Sequence, residues 1–295
     1  MPGAERKYVN LDGTNVHYVE AGEGPAVLLL HGLGTSLVTW HQNVDPLVAA
    51  GFRVLALDLP GHGDSDKPRK ISYDPLSAVL LLNKFLRSQG IDRVSVVGNS
   101  SGGLIGSLFA LGSPEQVDRL VLVASGGLGK EVSWLLRLIS LPGVGELFYQ
   151  PRLQNLLDLD QRLFYEAPPI LAEIQPEMRR VRSLPGARRA GLKAIRSSVN
   201  FRGLREDRYI LPLLKILPGP LLTVWGEEDK ILPVSHALKV RETLPHSVVR
   251  ILPKCGHWPH LEKSEEFNDL LIQFLNGQLD SSSQPPGQSP GPTPG

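Results

Sequence analysis

Cysteine is nearly absent, and Cys255 stands alone. A single thiol excludes an internal disulfide framework and any metal site built from clustered cysteines. Excess charge of either sign is also missing. The chain has 31 Lys or Arg against 30 Asp or Glu, for a formal net charge of +1. A dedicated nucleic-acid binder normally carries a basic surplus, so that class is excluded. No apolar run approaches the roughly 18 residues of a membrane span. The first ten residues hold no apolar signal core, so a soluble, cytoplasmic protein is expected. What is present is ordinary globular material. Of 295 residues, 41% are hydrophobic and 21% charged, enough for one large domain or one domain with an insertion.

Two alternating segments, Lys7 to Leu11 and Asn15 to Glu20, flank Asp12-Gly13, a hairpin-turn dipeptide. Short continuous apolar runs follow at Ala26 to Leu30, Phe52 to Leu57, Val94 to Val97, Leu120 to Ala124, Leu221 to Trp225 and Val248 to Leu252. Runs of this length suit strands buried on both faces. Asp74 to Ser88, Ser101 to Leu111 and Ser264 to Leu275 have helical spacing, the first stopping at Gly90. Alternating strand and helix with short links predicts an α/β fold, a parallel sheet with helices on both faces.

The rhythm breaks between Gly126 and Pro218. No buried-strand run occurs there, and Trp134 to Ile139, Leu153 to Phe164, Ile170 to Arg182 and Ala187 to Val199 look helical. The expected division is a core over 1–125 and 219–279, a helical insertion over 126–218, and a disordered Pro/Gly/Ser tail over 280–295. Ten Lys or Arg stand between Arg179 and Arg208. They read as a solvated helix face in preference to an anion-attracting one.

The segment Gly98-Asn99-Ser100-Ser101-Gly102 has the form G-x-S-x-G. It follows a buried strand run and opens a helical one. That is the setting of a nucleophile elbow, where a tight turn exposes one hydroxyl, here that of Ser100. A nucleophilic serine needs a base, and the base needs an orienting carboxylate. His257 follows the last strand run and Asp229 the one before it. Catalytic groups of open parallel sheets gather at those strand ends. Glu227 and Glu228 are rival carboxylates, but Asp229 is better spaced from the strand end. His260 is a rival base, but it sits where the closing helix approaches.

The turn His31-Gly32-Leu33-Gly34 follows the first buried run. Its Leu33 N–H and the N–H of Ser101 are the expected oxyanion-hole donors. His31 reads as a structural hydrogen-bonding residue. The loop Asp58 to Ser65 is dense in turn formers, and its Asp and His fit no zinc spacing. It reads as a rigid structural loop, and neither metal nor cofactor is expected.

Taken together, the His31 to Gly34 turn, the Asp58 to Ser65 loop, the Gly98 to Gly103 elbow, the Trp225 to Pro233 segment and Gly256-His257 resemble the signature stretches of the α/β-hydrolase superfamily. The resemblance implies a mostly parallel eight-stranded sheet and makes 126–218 a helical cap. Ser100 stands where some branches carry an Asp nucleophile, which argues against dehalogenases and epoxide hydrolases. Two serine branches remain. Capped esterases and lactonases form one. The other hydrolyses carbon–carbon bonds in meta-cleavage products of aromatic rings. Asn99, Gly102-Gly103, Gly126 to Gly129 and Trp258 resemble the second. That branch implies a cap arginine on the substrate carboxylate, for which Arg162 is the nearest match in a poorly fitting setting. Ser101 also replaces a larger residue. Both departures favour a small-molecule ester or lactone as substrate, with carbon–carbon cleavage and a slow ligand receptor as alternatives. Asn99, Trp258, Arg162 and Trp134 are the candidate substrate contacts.

Overall fold

Each of the six apolar runs becomes a strand of one sheet in a computed structural model, which describes residues 4–148, 150 and 160–279. The sheet strands are β1 (Glu5–Leu11), β2 (Thr14–Ala21), β3 (Ala26–Leu30), β4 (Arg53–Leu57), β5 (Val94–Asn99), β6 (Val117–Val123), β9 (Leu221–Gly226) and β10 (Val248–Leu252). A two-residue hairpin apart from the sheet supplies β7 (Val199–Asn200) and β8 (Gly203–Leu204). The sheet order is β1-β2-β4-β3-β5-β6-β9-β10. β2 pairs antiparallel with β1 and β4, and every other pairing is parallel. Asp12 and Gly13 both take positive φ, 52° and 83°, the turn that matches the twist of a hairpin.

The inner strands read as unbroken apolar runs because both faces are covered. Leu28, Leu30, Leu55 and Leu57 point into one core, while Val27, Leu29, Val54 and Ala56 point into the other. Helices α2 (Pro75–Ser88), α3 (Ser101–Gly112) and α8 (Ser235–Thr243) cover the first face through Phe85, Phe109 and Val240. Helices α1 (Val44–Ala49) and α10 (Ser264–Leu275) cover the second through Leu47, Phe267 and Phe274. α2 starts where the Asp74 carboxylate accepts the Ser77 N–H at 3.0 Å. It stops where Gly90 takes φ 64° and Ile91 N–H turns back to the Leu86 carbonyl at 2.9 Å.

Between β6 and β9 the chain leaves the sheet. It forms α4 (Trp134–Ser140), α5 (Val144–Phe148), α6 (Ile170–Ser183), α7 (Ala187–Ser198) and the β7–β8 hairpin; α9 (Pro259–Glu262) comes later, just after β10. The helix expected over Leu153 to Phe164 is mostly outside the described residues, and its last part is a short 3-10 turn at Gln161–Leu163. The tail over 280–295 also lies outside them. Among the described residues, no helix is long and apolar enough to cross a membrane.

The basic stretch of α6 and α7 is not simply a solvated face. Arg180 pairs with Asp64 and Glu177, both at 2.7 Å. Arg182 Nε donates to the Gly34 carbonyl at 2.7 Å, and Arg189 donates to that of Lys67 at 2.6 Å. These arginines tie the insertion to the loops that follow β3 and β4.

Candidate active site

β5 ends at Asn99 and α3 begins at Ser101, leaving Ser100 alone at the corner. Its φ of 53° and ψ of −116° are strained for a residue with a side chain. Neighbouring contacts hold it there. Ser100 N–H donates to the Val123 carbonyl at 3.0 Å, and its own carbonyl accepts the Gly126 N–H at 2.9 Å. Two glycines make the corner possible. A Cβ on Gly98 would sit 2.4 Å from the Gly102 carbonyl oxygen, and one on Gly102 would sit 2.3 Å from that of Leu30.

His257 and Asp229 meet in a hydrogen bond. The imidazole Nδ1 lies 2.8 Å from Asp229 Oδ2, and both side chains are buried. The second carboxylate oxygen accepts the N–H groups of Ile231 at 2.8 Å and Leu232 at 3.0 Å. With Nδ1–H given to the carboxylate, Nε2 is left as the acceptor. His257 N–H donates to the Leu163 carbonyl at 2.7 Å. Ser100 and His257 line one cavity of about 240 Å³, together with Gly32, Leu33, Gly34 and Ser101.

Rival residues have other duties. The Glu228 carboxylate accepts the Cys255 N–H at 2.9 Å, and Glu227 is exposed. His260 lies outside the cavity, its ring 4.3 Å from that of Trp40. Burial, with a smaller contribution from His257, pushes its pKa down to about 3. His31 is structural. Nε2 accepts the Leu59 N–H at 3.1 Å, and Nδ1 reaches the Gly32 carbonyl at 2.7 Å. Asp58 is the hub of the loop after β4. It accepts the N–H groups of Leu37 and Asp64, both at 2.8 Å, and pairs with His17 Nδ1 at 2.6 Å. Potential ligand atoms of His17, Asp58 and Asp64 lie within 4.8 Å of one another. Their oxygens already serve these bonds and, for Asp64, Arg6 and Arg180. The cluster is wired as structure.

The candidate substrate contacts separate. Trp258 lines the cavity and packs edge-on against Phe164, with ring centroids 5.5 Å apart. Asn99 does not reach it. Its Nδ2 donates to the carbonyls of Val123 at 3.1 Å and His257 at 3.3 Å, so it braces the strand ends from behind. Trp134 is 65% exposed and turned away, whereas the next residues on α4, Leu135 and Leu136, face in. Arg162 is exposed and also outside the cavity. The cavity-lining arginines are Arg179 and Arg182 of α6, which sequence spacing did not single out. Arg182 is committed to Gly34 and to Asp160 at 2.7 Å. Arg179 has no hydrogen-bond or ion-pair partner among the described residues. Glu262 was also missed; it accepts the N–H of Gly256, beside the imidazole, at 2.6 Å.

Known proteins are similar to this chain in sequence and in fold. The family model described as alpha/beta hydrolase fold matches residues 25–264. A 2-hydroxy-6-oxononadienedioate/2-hydroxy-6-oxononatrienedioate hydrolase of Burkholderia vietnamiensis is 34% identical, over 92% of this chain and 96% of its own. Among solved structures, the 2-hydroxy-6-oxo-6-phenylhexa-2,4-dienoate hydrolase from Rhodococcus sp. superposes with a TM-score of 0.80. It is 27% identical, covering 92% of this chain and 99% of the other. A membrane phospholipase A, described as a bacterial virulence factor, superposes with a TM-score of 0.79. It is 30% identical, covering 94% and 87% of the two chains. The sheet order, the strained corner after β5 and the matched span agree, and the chain belongs to the α/β-hydrolase fold family.

Proposed function

We propose that this protein is a serine hydrolase that breaks the carbon–carbon bond of a 2-hydroxy-6-oxo-dienoate. The observation that carries the reading is Arg179, an exposed cation that lines a mostly apolar cavity together with Ser100 and His257 and has no partner among the described residues. A dienoate presents a carboxylate for that cation and a ketone for the serine. The relatives that hydrolyse such dienoates support it. It displaces the ester reading that the sequence alone favours.

In this reading His257 Nε2 takes the Ser100 proton while the hydroxyl oxygen attacks the C6 carbonyl. Asp229 holds the imidazole and stabilises its charged form. The Leu33 and Ser101 amides receive the oxyanion, each worth about 3 kcal/mol of transition-state stabilisation. The C5–C6 bond then breaks. This needs the enol proton to have moved from the C2 oxygen to C5 beforehand, giving the 2-oxo-3-ene tautomer; the electron pair of C5–C6 then forms C4=C5, the C3=C4 pair moves to C2–C3, the C2 oxygen takes a proton, and the acyl group stays on Ser100. Water activated by His257 releases the second acid. Residues 126–218 act as a cap over the core formed by 1–125 and 219–279.

Ester or lactone hydrolysis is the second reading. It is favoured by the apolar walls supplied by Leu135, Leu136, Phe148 and Ile195, and by the likeness to the phospholipase. One paired absorbance assay separates the two. Pure protein and Ser100→Ala are given a coloured dienol substrate and nitrophenyl esters of increasing chain length. Fast dienol decay with sluggish esters, lost in the variant, is the expected result. Fast esters with an inert dienol would move the assignment to an esterase. Turnover that survives Ser100→Ala would overturn the nucleophile.

A further inference from the structure

Three consecutive backbone N–H groups lead up to the imidazole, and each has its own acceptor. Cys255 N–H donates to the Glu228 carboxylate at 2.9 Å, Gly256 N–H to the Glu262 carboxylate at 2.6 Å, and His257 N–H to the Leu163 carbonyl at 2.7 Å. Glu262 differs from the other two acceptors. It is the last residue of α9, half-buried, and its second oxygen accepts the Glu166 N–H at 2.7 Å. One carboxylate therefore joins the residue before His257 to the insertion. Burial pushes its pKa up, and the N–H groups of Glu166, Gly256 and Tyr165 act against that shift. The seam around it is tight. A Cβ on Gly256 would sit 2.5 Å from the Leu163 carbonyl oxygen and 2.8 Å from Phe164 Cα. On the other side of His257, Trp258 packs against Phe164.

We propose that Glu262 is a positioning residue for His257. By holding the N–H groups of Gly256 and Glu166 on one carboxylate, it seats the histidine loop against residues 163–166 and keeps Nε2 aimed at Ser100. Glu262 does not line the catalytic cavity, so it acts through the backbone. A displacement of about 1 Å at the base can cost about 100-fold in rate. Counting acceptor atoms separates this role from that of Glu228. A carboxylate serves two N–H groups with two oxygens, whereas a Gln side chain has one oxygen and turns its NH2 on the second donor. Glu228 accepts one N–H of the loop, which a Gln oxygen still serves.

The role of Glu262 rests on the Ser100, His257 and Asp229 reading and not on the bond that is cleaved, so the probe is a phosphonofluoridate. Ser100 Oγ displaces fluoride from phosphorus, its proton passes to His257, and mass spectrometry follows the labelled serine. In Glu262→Gln the limiting labelling rate should fall about 10- to 100-fold, with the half-saturating concentration within about twofold of the wild type. Glu228→Gln should stay within about threefold in both. The proton NMR signal of His257 Nδ1–H on Asp229 should shift or broaden in Glu262→Gln and persist in Glu228→Gln. Glu166→Pro deletes the insertion's N–H and leaves Glu262 in place; it should slow labelling in the same sense. That variant decides the matter if thermal melts show that Glu262→Gln does not fold. Unchanged labelling, or a loss carried by the half-saturating concentration alone, overturns the proposal. A wild type that takes no label at Ser100 overturns the nucleophile, and the role of Glu262 with it.

Discussion

Arg182 Nε donates to the carbonyl oxygen of Gly34 at 2.7 Å, so a helix of the insertion grips the turn that carries Leu33. The same guanidinium holds Asp160. Three residues on, the Leu163 carbonyl accepts the His257 N–H at 2.7 Å. The short stretch 160–163 therefore reaches the Leu33 turn at one end, through Arg182, and the His257 backbone at the other.

Arg182→Met should cut kcat about 10- to 100-fold, because a turn released by less than an ångström no longer aims its amide. KM should change little, since Arg182 is spent on protein groups. Steady-state kinetics read this directly. A rise in KM at constant kcat would mean that Arg182 binds substrate instead.

Asp229→Asn should lower kcat by about 10⁴, since a side-chain amide at that position favours the wrong imidazole tautomer. The variant should melt within a few degrees of the wild type, because an amide oxygen still accepts from Ile231 and Leu232. Glu228→Gln should retain most activity. Parallel kinetics and thermal melts on the two variants test the choice of carboxylate.

Arg179→Ala should raise KM for a dienoate at least tenfold and leave nitrophenyl esters nearly untouched, because only the first carries a carboxylate to lose. Equal effects on both substrates would assign Arg179 a structural role.

His260 makes stability depend on pH in a defined direction. Its folded pKa is depressed to about 3 by burial, against an ordinary imidazole value of 6.5. Below pH 6.5 the unfolded chain takes a proton that the folded one refuses, so stability falls as pH drops toward 3. The slope from one such group is at most about 1.4 kcal/mol per pH unit. Between pH 6.5 and 4.5 the wild type should lose roughly 2 kcal/mol more than His260→Phe. Urea titrations at the two pH values measure it, and parallel pH profiles would remove His260 from the account.

The inner strands were legible because burial on both faces leaves an unbroken apolar run, as in Leu28 to Leu30. The Ser, Asp and His positions were legible from order along the chain and from the strand ends they follow. The phase of α4 was not. Trp134 and Leu135 are adjacent, and only packing decides that the leucine turns inward. The choice between Arg162 and Arg179 was equally hidden, because it depends on how α6 lies against the core. α1 and α8 escaped notice as well. The first has six residues, and the second carries too weak an apolar stripe to mark it as a helix. The partners of the α6 arginines were out of reach, since Gly34 lies 148 positions from Arg182.

The latches at Gly34 and His257 also bear on protein engineering. A cap attached only by its two chain crossings could be exchanged among family members like an interchangeable part. In the proposed reading residues 126–218 are a cap, and this one also holds the backbone of His257 and the turn that carries Leu33. A graft of residues 126–218 onto a foreign core must therefore find matching partners at both places, or the chimera will fold around a serine that does no work.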